Sequence, residues 1–297
     1  MDVSVIIVNF RTRELLQHCI RSILDWSAGV EYEVIVVDNA SNDGSAEMVE
    51  SVYPGVRVLA SEENIGFGGG NNAGVALAHG KYCLLLNPDT LLQNNALKIL
   101  FDFMERPESK AIAACGASLL DEDHRPAVSF GRFPTVGSML FYSLPGSSPF
   151  RDKEEGIVLN PVGVPFPVDF VSGADLFIRR EVFERIGGFD ENYFAYYEEV
   201  DLAQRISRLG HRSAIVPPAR IQHLEGKSFN NSSLRKKFMF ESSLYYLAKF
   251  GKRDALFKLF CSVNEVKYRL YQWFHPRADT TAWGEMITAA RQYRSKT

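Results

Sequence analysis

The chain has 297 residues, of which 46% are hydrophobic and 23% charged, and its formal net charge is −3. This composition excludes a disordered or fibrous chain and is typical of one large globular domain with an extension, or of two small domains. The apolar N-terminal run is too short for a signal peptide, and no run of about 18 apolar residues predicts a membrane-spanning helix. We therefore expect a cytoplasmic protein.

Cysteine placement and charge distribution add two further constraints. The four cysteines are scattered without a Cys-x-x-Cys pair, which argues against a zinc site or a disulfide framework. Residues 230–297 contain 13 Lys and Arg against 5 Asp and Glu, whereas residues 1–229 contain 20 against 31. We expect an acidic body over 1–229 and a basic extension over 230–297.

The first 110 residues alternate between predicted strands and helices. Residues 3–10 form a short, nearly all-apolar run typical of a strand buried on both faces, and an amphipathic helix pattern follows over 15–24. Further strands are predicted at 32–40, 56–61 and 81–89, and further helices at 44–52, 71–80 and 94–104. This alternation predicts a mainly parallel central sheet flanked by helices.

The regular alternation ends after about Ala111. Residues 111–121 predict another strand, and the stretch from His124 to Pro167, rich in Pro, Gly and Ser, predicts long connecting loops. Strand-then-helix order returns before the Gly187-Gly188 stop, and helical patterns dominate from Leu234 onward.

Polar residues lie at or just beyond the ends of four predicted strands: Asn9, Asp38, Asn64 and Asp89. Ligands of such sheets bind outside the carboxyl ends of the strands. Asp38 could accept hydrogen bonds from a nucleoside, although an Asx-turn explains the same stretch. Asp89 should be delivered into solvent, where it could share Mg²⁺ or Mn²⁺ with a diphosphate, or else belong to a simple Asn-Pro-Asp turn.

A cluster of carboxylates lies further along the chain. Glu198, Glu199 and Asp201 follow an aromatic stretch, and like charges beside aromatic walls raise a pKa in the way that a general base requires. The alternative is an acidic first helical turn that is stabilised by the helix dipole. Asp201 and Arg205 have the spacing of an ion pair on one helix face.

Two smaller signals accompany this cluster. The small residues Ser172, Gly173 and Ala174 allow close approach of the backbone to a ligand, or else form a tight packing corner. His223 lies in a polar, Gly-containing stretch and is either a metal or phosphate ligand or a structural histidine.

The run "NIGFGGGNNAG", residues 64–74, loosely matches the G-x-G-x-x-A pattern of dinucleotide-binding turns. Such a fingerprint belongs in the first strand-to-helix turn, which contains no glycine here, and a phosphate-binding Walker loop would need a lysine. We interpret the run as a loop that admits a ligand closely, with the next helix beginning at Asn71 and Asn72.

Six stretches in this order resemble the inverting family-2 glycosyltransferases of the GT-A fold, and within them the rhamnosyltransferase-type members that build cell-surface polysaccharides. They are "VSVIIVNF", "VVDNASNDGS", "NIGFGGGNNAG", "LLLNPDT", "VSGADLFIRR" and "GGFDENYFAYYEEVDLAQR". The resemblance covers about two-thirds of the chain, from Val3 to Arg205. It implies a GT-A domain over 1–229, with a nucleotide-sugar-binding half (1–110) and an acceptor half (111–229), and a helical extension over 230–297.

The resemblance also implies roles for individual residues. Asp89 takes the second acidic position of the family's D-x-D metal motif, with Asn87 replacing the first, and would hold Mg²⁺ or Mn²⁺. His223, from its own sequence context, is the further candidate metal ligand. Glu199 is the expected base that deprotonates the acceptor hydroxyl, and Glu198 is the alternative. The donor-binding set is Asn9, Asp38, Asn39, Asn64, Gly66, Phe67, Asn71, Asn87 and Pro88. The acceptor side is Gly173, Ala174, Tyr197 and Asp201.

The expected donor is dTDP-rhamnose, with UDP-sugars (galactose, glucose or N-acetylglucosamine) as the alternative, and the expected acceptor is a glycan or a lipid-linked glycan. Basic residues of the extension suit an anionic membrane surface, while a helical cap or a homo-oligomer interface explains them equally. They are Lys236, Lys237, Lys249, Lys252, Arg253 and Lys258. No nucleic-acid-binding motif is present. A sugar nucleotidyltransferase and an inactive glycan-binding scaffold are the rival functions.

Overall fold

The structure is a computed structural model that describes residues 1–143, 163–224, 232–251, 254–274 and 281–295. The chain forms two compact units. The first unit comprises the described residues of Met1–Arg132, Lys153–Asn192 and Glu198–Ser228. The second comprises those of Phe133–Asp152, Tyr193–Tyr197 and Phe229–Thr297.

Strands and helices alternate through the N-terminal part, as the apolar periodicity predicts. In order they are β1 (Val3–Asn9), α1 (Arg13–Trp26), β2 (Tyr32–Asp38), α2 (Ser45–Val52), β3 (Arg57–Ala60), α3 (Gly66–Ala76), β4 (Tyr82–Leu86), β5 (Thr90–Leu92), α4 (Ala96–Glu105), a 3-10 turn (Pro107–Ala111), β6 (Ile112–Leu120), β7 (Phe130–Gly131) and α5 (Val136–Ser143). The remaining elements are β8 (Phe166–Val168), β9 (Phe170–Val171), β10 (Asp175–Arg179), α6 (Arg180–Arg185), α7 (Glu198–Arg208), β11 (Arg212–His223), α8 (Ser232–Phe250), α9 (Ala255–Phe274) and α10 (Thr281–Ser295).

The first unit is built on one mixed sheet with the strand order β3-β2-β1-β4-β10-β6-β11-β5, and β8 pairs with β11 beside this path. Strands β1 to β4 run parallel, and β11 runs parallel to β6. Strand β10 is antiparallel to both neighbours, β4 and β6, and β5 is antiparallel to β11. The mainly parallel sheet with flanking helices that the sequence predicts is therefore confirmed.

The all-apolar sequence of β1 reflects burial of both faces of the sheet. Val3, Val5 and Ile7 belong to one hydrophobic cluster, which also contains the buried residues of α1 and α4. Ile6 points the other way and packs in a second cluster. Successive strand residues alternate between faces, so a strand covered on both sides has no polar face to display.

The glycine run differs from the expectation, because it is itself a helix. Helix α3 begins at Gly66, so Asn71 and Asn72 lie inside the helix and do not start it. The glycines let α3 lie directly on β1: a Cβ on Gly70 would lie 2.7 Å from Val8 Cγ1, and one on Gly74 would overlap Ile6. Glycine is thus required here for close packing of a helix on a strand.

The stretch from His124 to Pro167 is less irregular than predicted. It contains β7 and helix α5, as well as the start of β8, while residues 144–162 lie outside the described residues. The expected helix from Asn94 starts at Ala96, where the side chain of Asn95 caps it by accepting a hydrogen bond from the Lys98 amide.

The second unit contains helices α5, α8, α9 and α10, with the aromatic segment Tyr193–Tyr197. Tyr193 packs edge-to-face on Tyr245, and Ser242 Oγ donates a 2.9 Å hydrogen bond to the Ala195 carbonyl. Tyr197 Oη lies 3.5 Å from the sulfur of Met139. In the described ranges, no helix is long and apolar enough to cross a membrane.

Candidate active site

The carboxyl ends of β1 and β2 carry a buried polar pair. Asn9 and Asp38 are register partners on these parallel strands, and Asn9 Nδ2 donates a 2.9 Å hydrogen bond to Asp38 Oδ1. Ser41 Oγ accepts a second bond from Asn9 Nδ2 at 3.0 Å, and Thr12 Oγ1 donates to Asn9 Oδ1 at 2.6 Å. The amide thereby holds the Asp38 carboxylate at the strand end in one orientation.

A second network joins the end of β2 to the start of α3. Asn39 Nδ2 donates to Asn64 Oδ1 at 2.9 Å and to the Gly66 carbonyl at 3.0 Å. Its Oδ1 accepts the Ile65 amide at 3.0 Å, and Asn64 Oδ1 also accepts the Gly66 amide at 2.9 Å. Gly66 has φ +77°, a left-handed conformation that favours glycine. Two asparagines therefore fix the entry of α3 beside Asp38.

Asn71 and Phe67 belong to α3 itself. Asn71 is buried, and its Nδ2 donates a 3.0 Å hydrogen bond to the Phe67 carbonyl one turn earlier. The Phe67 ring packs on Phe189 with centroids 5.9 Å apart. Asn71 is thus directed into its own helix, where it can position Phe67.

The Asn87-Pro88-Asp89 turn follows β4 and is tied to the neighbouring strand. The Asn87 amide donates to the Ala174 carbonyl at 3.0 Å, and Thr90 Oγ1 donates to the Asn87 carbonyl at 2.7 Å. Asp89 is only 2% exposed, so the expectation that it projects into solvent is wrong. The turn leads directly into the short strand β5, which pairs with β11.

His223 reaches the same place from the other end of the chain. The β5–β11 ladder pairs His223 with Thr90, and the Asp89 carbonyl accepts the Leu224 amide at 2.9 Å. As a result, His223 Nε2 lies 3.4 Å from Asp89 Oδ1. Both residues are candidate metal ligands in the sequence, and their side chains are neighbours in the structure.

The chemistry of this pair fits one divalent cation. An octahedral ion with ligands at about 2.1 Å separates neighbouring ligand atoms by about 3 Å, close to the observed spacing of carboxylate oxygen and imidazole nitrogen. Over the parts of the chain that are described, no group of three or more His, Cys, Asp and Glu side chains is placed to hold a metal. A cation at Asp89 and His223 would therefore complete its ligand shell with phosphate oxygens and water.

The carboxylates at the start of α7 differ in their surroundings. Glu198 is buried, and its Oε2 has no hydrogen-bond partner in the described structure. Burial, and secondarily the charge of Glu199, raises the pKa of Glu198 well above its usual value. Glu199 is half-buried. The Oε2 atom of Glu199 is buried as well, so Glu199 is the more exposed residue of the two by its remaining atoms.

Gly173 connects the acceptor-side and donor-side residues. A Cβ on Gly173 would lie 3.8 Å from Glu199 Cβ and 3.8 Å from the ring of Phe67. Ala174, next in the chain, is buried and holds the Asn87 amide. The small residues thus leave space between Phe67 and Glu199 while they anchor the turn that carries Asp89.

Asp201 forms the ion pair with Arg205 that its spacing predicts, with Oδ1 and Nε 2.5 Å apart. The Asp201 side chain is fully buried, and Arg205 also donates to the Ile186 carbonyl at 2.8 Å. Asp201 is therefore placed to anchor α7 within the first unit and not to contact an acceptor directly. Tyr197 belongs to the second unit, where it packs on Tyr246.

Sequence reasoning missed Asp175, the first residue of β10. It is fully buried, its Oδ2 accepts the Ala117 amide at 2.5 Å, and its Oδ1 has no hydrogen-bond partner in the described structure. Burial raises its pKa well above the usual value. An acid directly before the apolar run "LFI" was the available signal. Asp175 pairs with Leu86, directly before the Asn87 turn.

Comparison with known proteins places the fold and the family. The chain is 28% identical over 215 residues to N-acetylglucosaminyl-diphospho-decaprenol L-rhamnosyltransferase of Mycobacterium tuberculosis, covering 66% of this chain and 67% of that protein. It is 27% identical over 230 residues to rhamnosyltransferase WbbL of Escherichia coli, covering 73% and 83%.

Two solved structures share the fold. Mannosyltransferase PcManGT from Pyrobaculum calidifontis, solved with GDP-Man and Mn²⁺, superposes with a TM-score of 0.61 at 16% identity over 99% of this chain and 86% of that one. GalNAc-T7, solved with UDP, GalNAc and Mn²⁺, gives a TM-score of 0.62 at 16% identity; 99% of this chain is covered, but only 54% of that chain. The profile of "Glycosyl transferase family 2" matches residues 4–187. The chain belongs to glycosyl transferase family 2.

Proposed function

We propose that this family-2 glycosyltransferase moves rhamnose from dTDP-rhamnose to a glycan or lipid-linked glycan acceptor, with inversion at the anomeric carbon. The observation that carries the proposal is that Asp38, the Asp89–His223 pair and Glu199 all belong to the first unit. The first two lie at or beside carboxyl ends of strands, where ligands of α/β sheets bind. The choice of rhamnose rests on the names of the two bacterial relatives.

The donor would be held at two points. Asp38, fixed by Asn9, would accept hydrogen bonds from the nucleoside, and the Asn39–Asn64 network would hold the start of α3 against the diphosphate. The N-terminus of a helix favours anionic groups, because its first backbone amides are free to donate.

Asp89 and His223 would hold Mg²⁺ or Mn²⁺. When bound there, the cation would neutralise the negative charge that collects on the departing nucleoside diphosphate. Asp89 is held for this role by the β5–β11 ladder and by the turn that Ala174 anchors.

The acceptor hydroxyl is a poor nucleophile at neutral pH and needs a base. Glu199 would take the hydroxyl proton as the oxygen bonds to the anomeric carbon and the bond to the diphosphate breaks. Burial raises the pKa of Glu198, which disfavours the ionised form that a base needs. A single displacement of this kind inverts the anomeric centre and needs no covalent nucleophile.

One experiment tests the donor and base assignments together. The variants Asp89→Asn, Glu199→Gln and Glu198→Gln are compared with Glu181→Gln, a control at an exposed position of α6. We measure donor binding by thermal shift over a panel of dTDP-, UDP- and GDP-sugars with Mg²⁺ or Mn²⁺, and transfer by product formation. A ligand that selects the native state raises its stability by mass action.

Glu199→Gln should lower the transfer rate by about 10²–10⁴-fold and leave donor binding unchanged, as expected for loss of a general base. Asp89→Asn should remove the metal-dependent part of donor binding, while Glu181→Gln should change neither quantity. Turnover that survives in Glu199→Gln but not in Glu198→Gln would move the base by one residue. A thermal shift with UDP-sugars alone would replace dTDP-rhamnose by a UDP-sugar as donor.

A further inference from the structure

Helix α9 displays an apolar stripe along its outer face. The stripe repeats at alternating spacings of three and four residues and consists of Leu256, Leu259, Val263, Val266, Leu270 and Trp273. Leu256, Leu259, Val266, Leu270 and Trp273 are 41–73% exposed, and Phe274 at the end of the helix is 68% exposed. At 1.5 Å per residue the stripe is about 26 Å long.

The stripe is not the core-facing side of this helix. A different set of α9 residues is buried and faces the other helices of the second unit: Phe257, Phe260, Cys261, Asn264 and Tyr268. Helix α9 is therefore apolar on two sides, whereas a surface helix normally needs only one apolar stripe. Exposed apolar patches of this extent mark sites of association.

Basic residues border the stripe on both edges. At 100° per residue, Lys267 lies along one edge, and Lys258 and Arg269 lie along the other. Glu265 is the single acidic residue of α9, and it is buried and accepts hydrogen bonds from Arg269 and Arg291, each at 2.8 Å. Arg294 reaches the same carboxylate at 3.1 Å. Three half-exposed guanidinium groups thus share one negative charge, which leaves this edge strongly positive.

The lysines that the sequence suggested on α8 are used differently. Lys237 forms an ion pair with Glu285 of α10, and Lys249 lies over the rings of Tyr193 and Tyr245. Lys252 and Arg253 lie outside the described residues. Lys236 is exposed, but among the described residues of α8 Met239 is the one large apolar side chain that is exposed, so the extended apolar surface with basic borders lies on α9.

We propose that the α9 stripe docks the protein on an anionic lipid bilayer, with α9 lying in the plane of the headgroups. Leucine, valine and tryptophan side chains would enter the acyl boundary while the flanking lysines and arginines contact acidic headgroups. A second copy of the chain fits this surface less well. Pairing two α9 stripes would set basic edges against each other, and no exposed acid of α9 could compensate them. This proposal is independent of the donor and base assignments, because its test measures binding and not turnover.

The test is co-sedimentation of the full chain with vesicles of phosphatidylcholine alone or with 30% phosphatidylglycerol. Three proteins are compared: wild type, the triple variant Leu259→Ser, Val266→Ser, Leu270→Ser, and the control triple variant Leu24→Ser, Val52→Ser, Leu209→Ser. The control positions are 44–50% exposed, which matches the stripe, and they lie in the first unit. All six positions are surface leucines or valines, so circular dichroism should show an unchanged fold.

Wild type and the control should bind the anionic vesicles at least tenfold more tightly than the neutral ones, and the stripe variant should lose at least tenfold on the anionic vesicles. Anionic vesicles should also shift the tryptophan emission of wild type to the blue, and Trp273→Phe should remove most of that shift. Equal binding by the stripe variant and wild type, or no binding by wild type, overturns the proposal. A wild-type dimer on size exclusion that the stripe variant dissolves, without vesicle binding, would replace the bilayer by a second copy. If the triple variant unfolds, Val266→Glu alone replaces it in the same assay and must lose the same binding.

Discussion

Substitution of Gly70 by alanine tests whether the glycines of α3 exist for close packing. A Cβ at this position would lie 2.7 Å from Val8 Cγ1 and 3.0 Å from Val8 Cγ2. Carbon atoms in favourable contact lie about 3.5–4.0 Å apart, so α3 and β1 would have to separate by about 1 Å. Because α3 also carries the Asn64–Asn39 network at its N-terminus, such a shift would extend to the end of β2.

Two effects of opposite sign decide the size of the change. Replacing glycine by alanine inside a helix stabilises it by about 1 kcal/mol, whereas overpacking a tight interior contact costs about 1–3 kcal/mol. We therefore expect Gly70→Ala to lower the free energy of unfolding by about 1 kcal/mol. Gly55→Ala is the matched control, since no atom lies within 4 Å of its Cβ position. Without a clash it should stabilise the protein by about 0.4–1 kcal/mol.

Urea unfolding at a constant m-value measures both changes. A double-mutant cycle with Val8→Ala then isolates the contact, because this second substitution removes both methyl groups that a Cβ at position 70 would meet. The double variant should be more stable than the sum of the two single effects predicts, by about 1–2 kcal/mol. If Gly70→Ala stabilises the protein as much as Gly55→Ala does, or if the cycle is additive, close packing is not the reason for glycine here.

Two further predictions concern buried polar groups. Burial raises the pKa of Asp175, so the folded state favours its protonated form. The free energy of unfolding is therefore highest below the usual carboxyl pKa, and it falls by up to about 1.4 kcal/mol per pH unit as the pH rises from there towards the folded-state pKa. Asp175→Asn should therefore raise the urea midpoint more at pH 8 than at pH 5, and equal gains would contradict this. Asn39→Ala leaves the Ile65 amide without its acceptor, so it should cost about 1–3 kcal/mol in urea unfolding and raise the donor KM. An unchanged donor KM would separate this network from the donor site.

The placement of several candidate donor-site residues could be predicted from the sequence, because they lie at the ends of strands that periodicity identifies. Asn9 and Asp38 end two adjacent apolar runs, and parallel pairing alone places them side by side. Local chemistry also predicted the Asp201–Arg205 pair correctly, since both residues lie on one helix. In each case the relevant contact is between near neighbours in the chain or between consecutive parallel strands.

The remainder depends on pairing that periodicity does not encode. The proximity of Asp89 and His223 follows from β5, a strand of only three residues whose partner, β11, lies far along the chain. Strand β10 lies antiparallel between β4 and β6, which places Asp175 inside the sheet. An apolar run in the sequence does not show whether a strand is parallel or antiparallel to its neighbours. The low helix propensity of glycine favours a loop for the glycine run. In the structure the run is part of α3, because packing of this helix against β1 outweighs that propensity.

The pairing of β5 with β11 has a consequence for the order in which the molecule is assembled during synthesis. A growing chain that has released β1 to β4 already holds everything that the Asn9–Asp38 pair needs. Asp89 follows three residues after β4, but His223 ends β11, the last strand of the sheet along the chain. A nascent chain can therefore form the Asn9–Asp38 pair early, while the Asp89–His223 pair forms only after the last strand has been made. The pairing of β11 with β5 therefore completes the sheet and forms the Asp89–His223 pair at the same time.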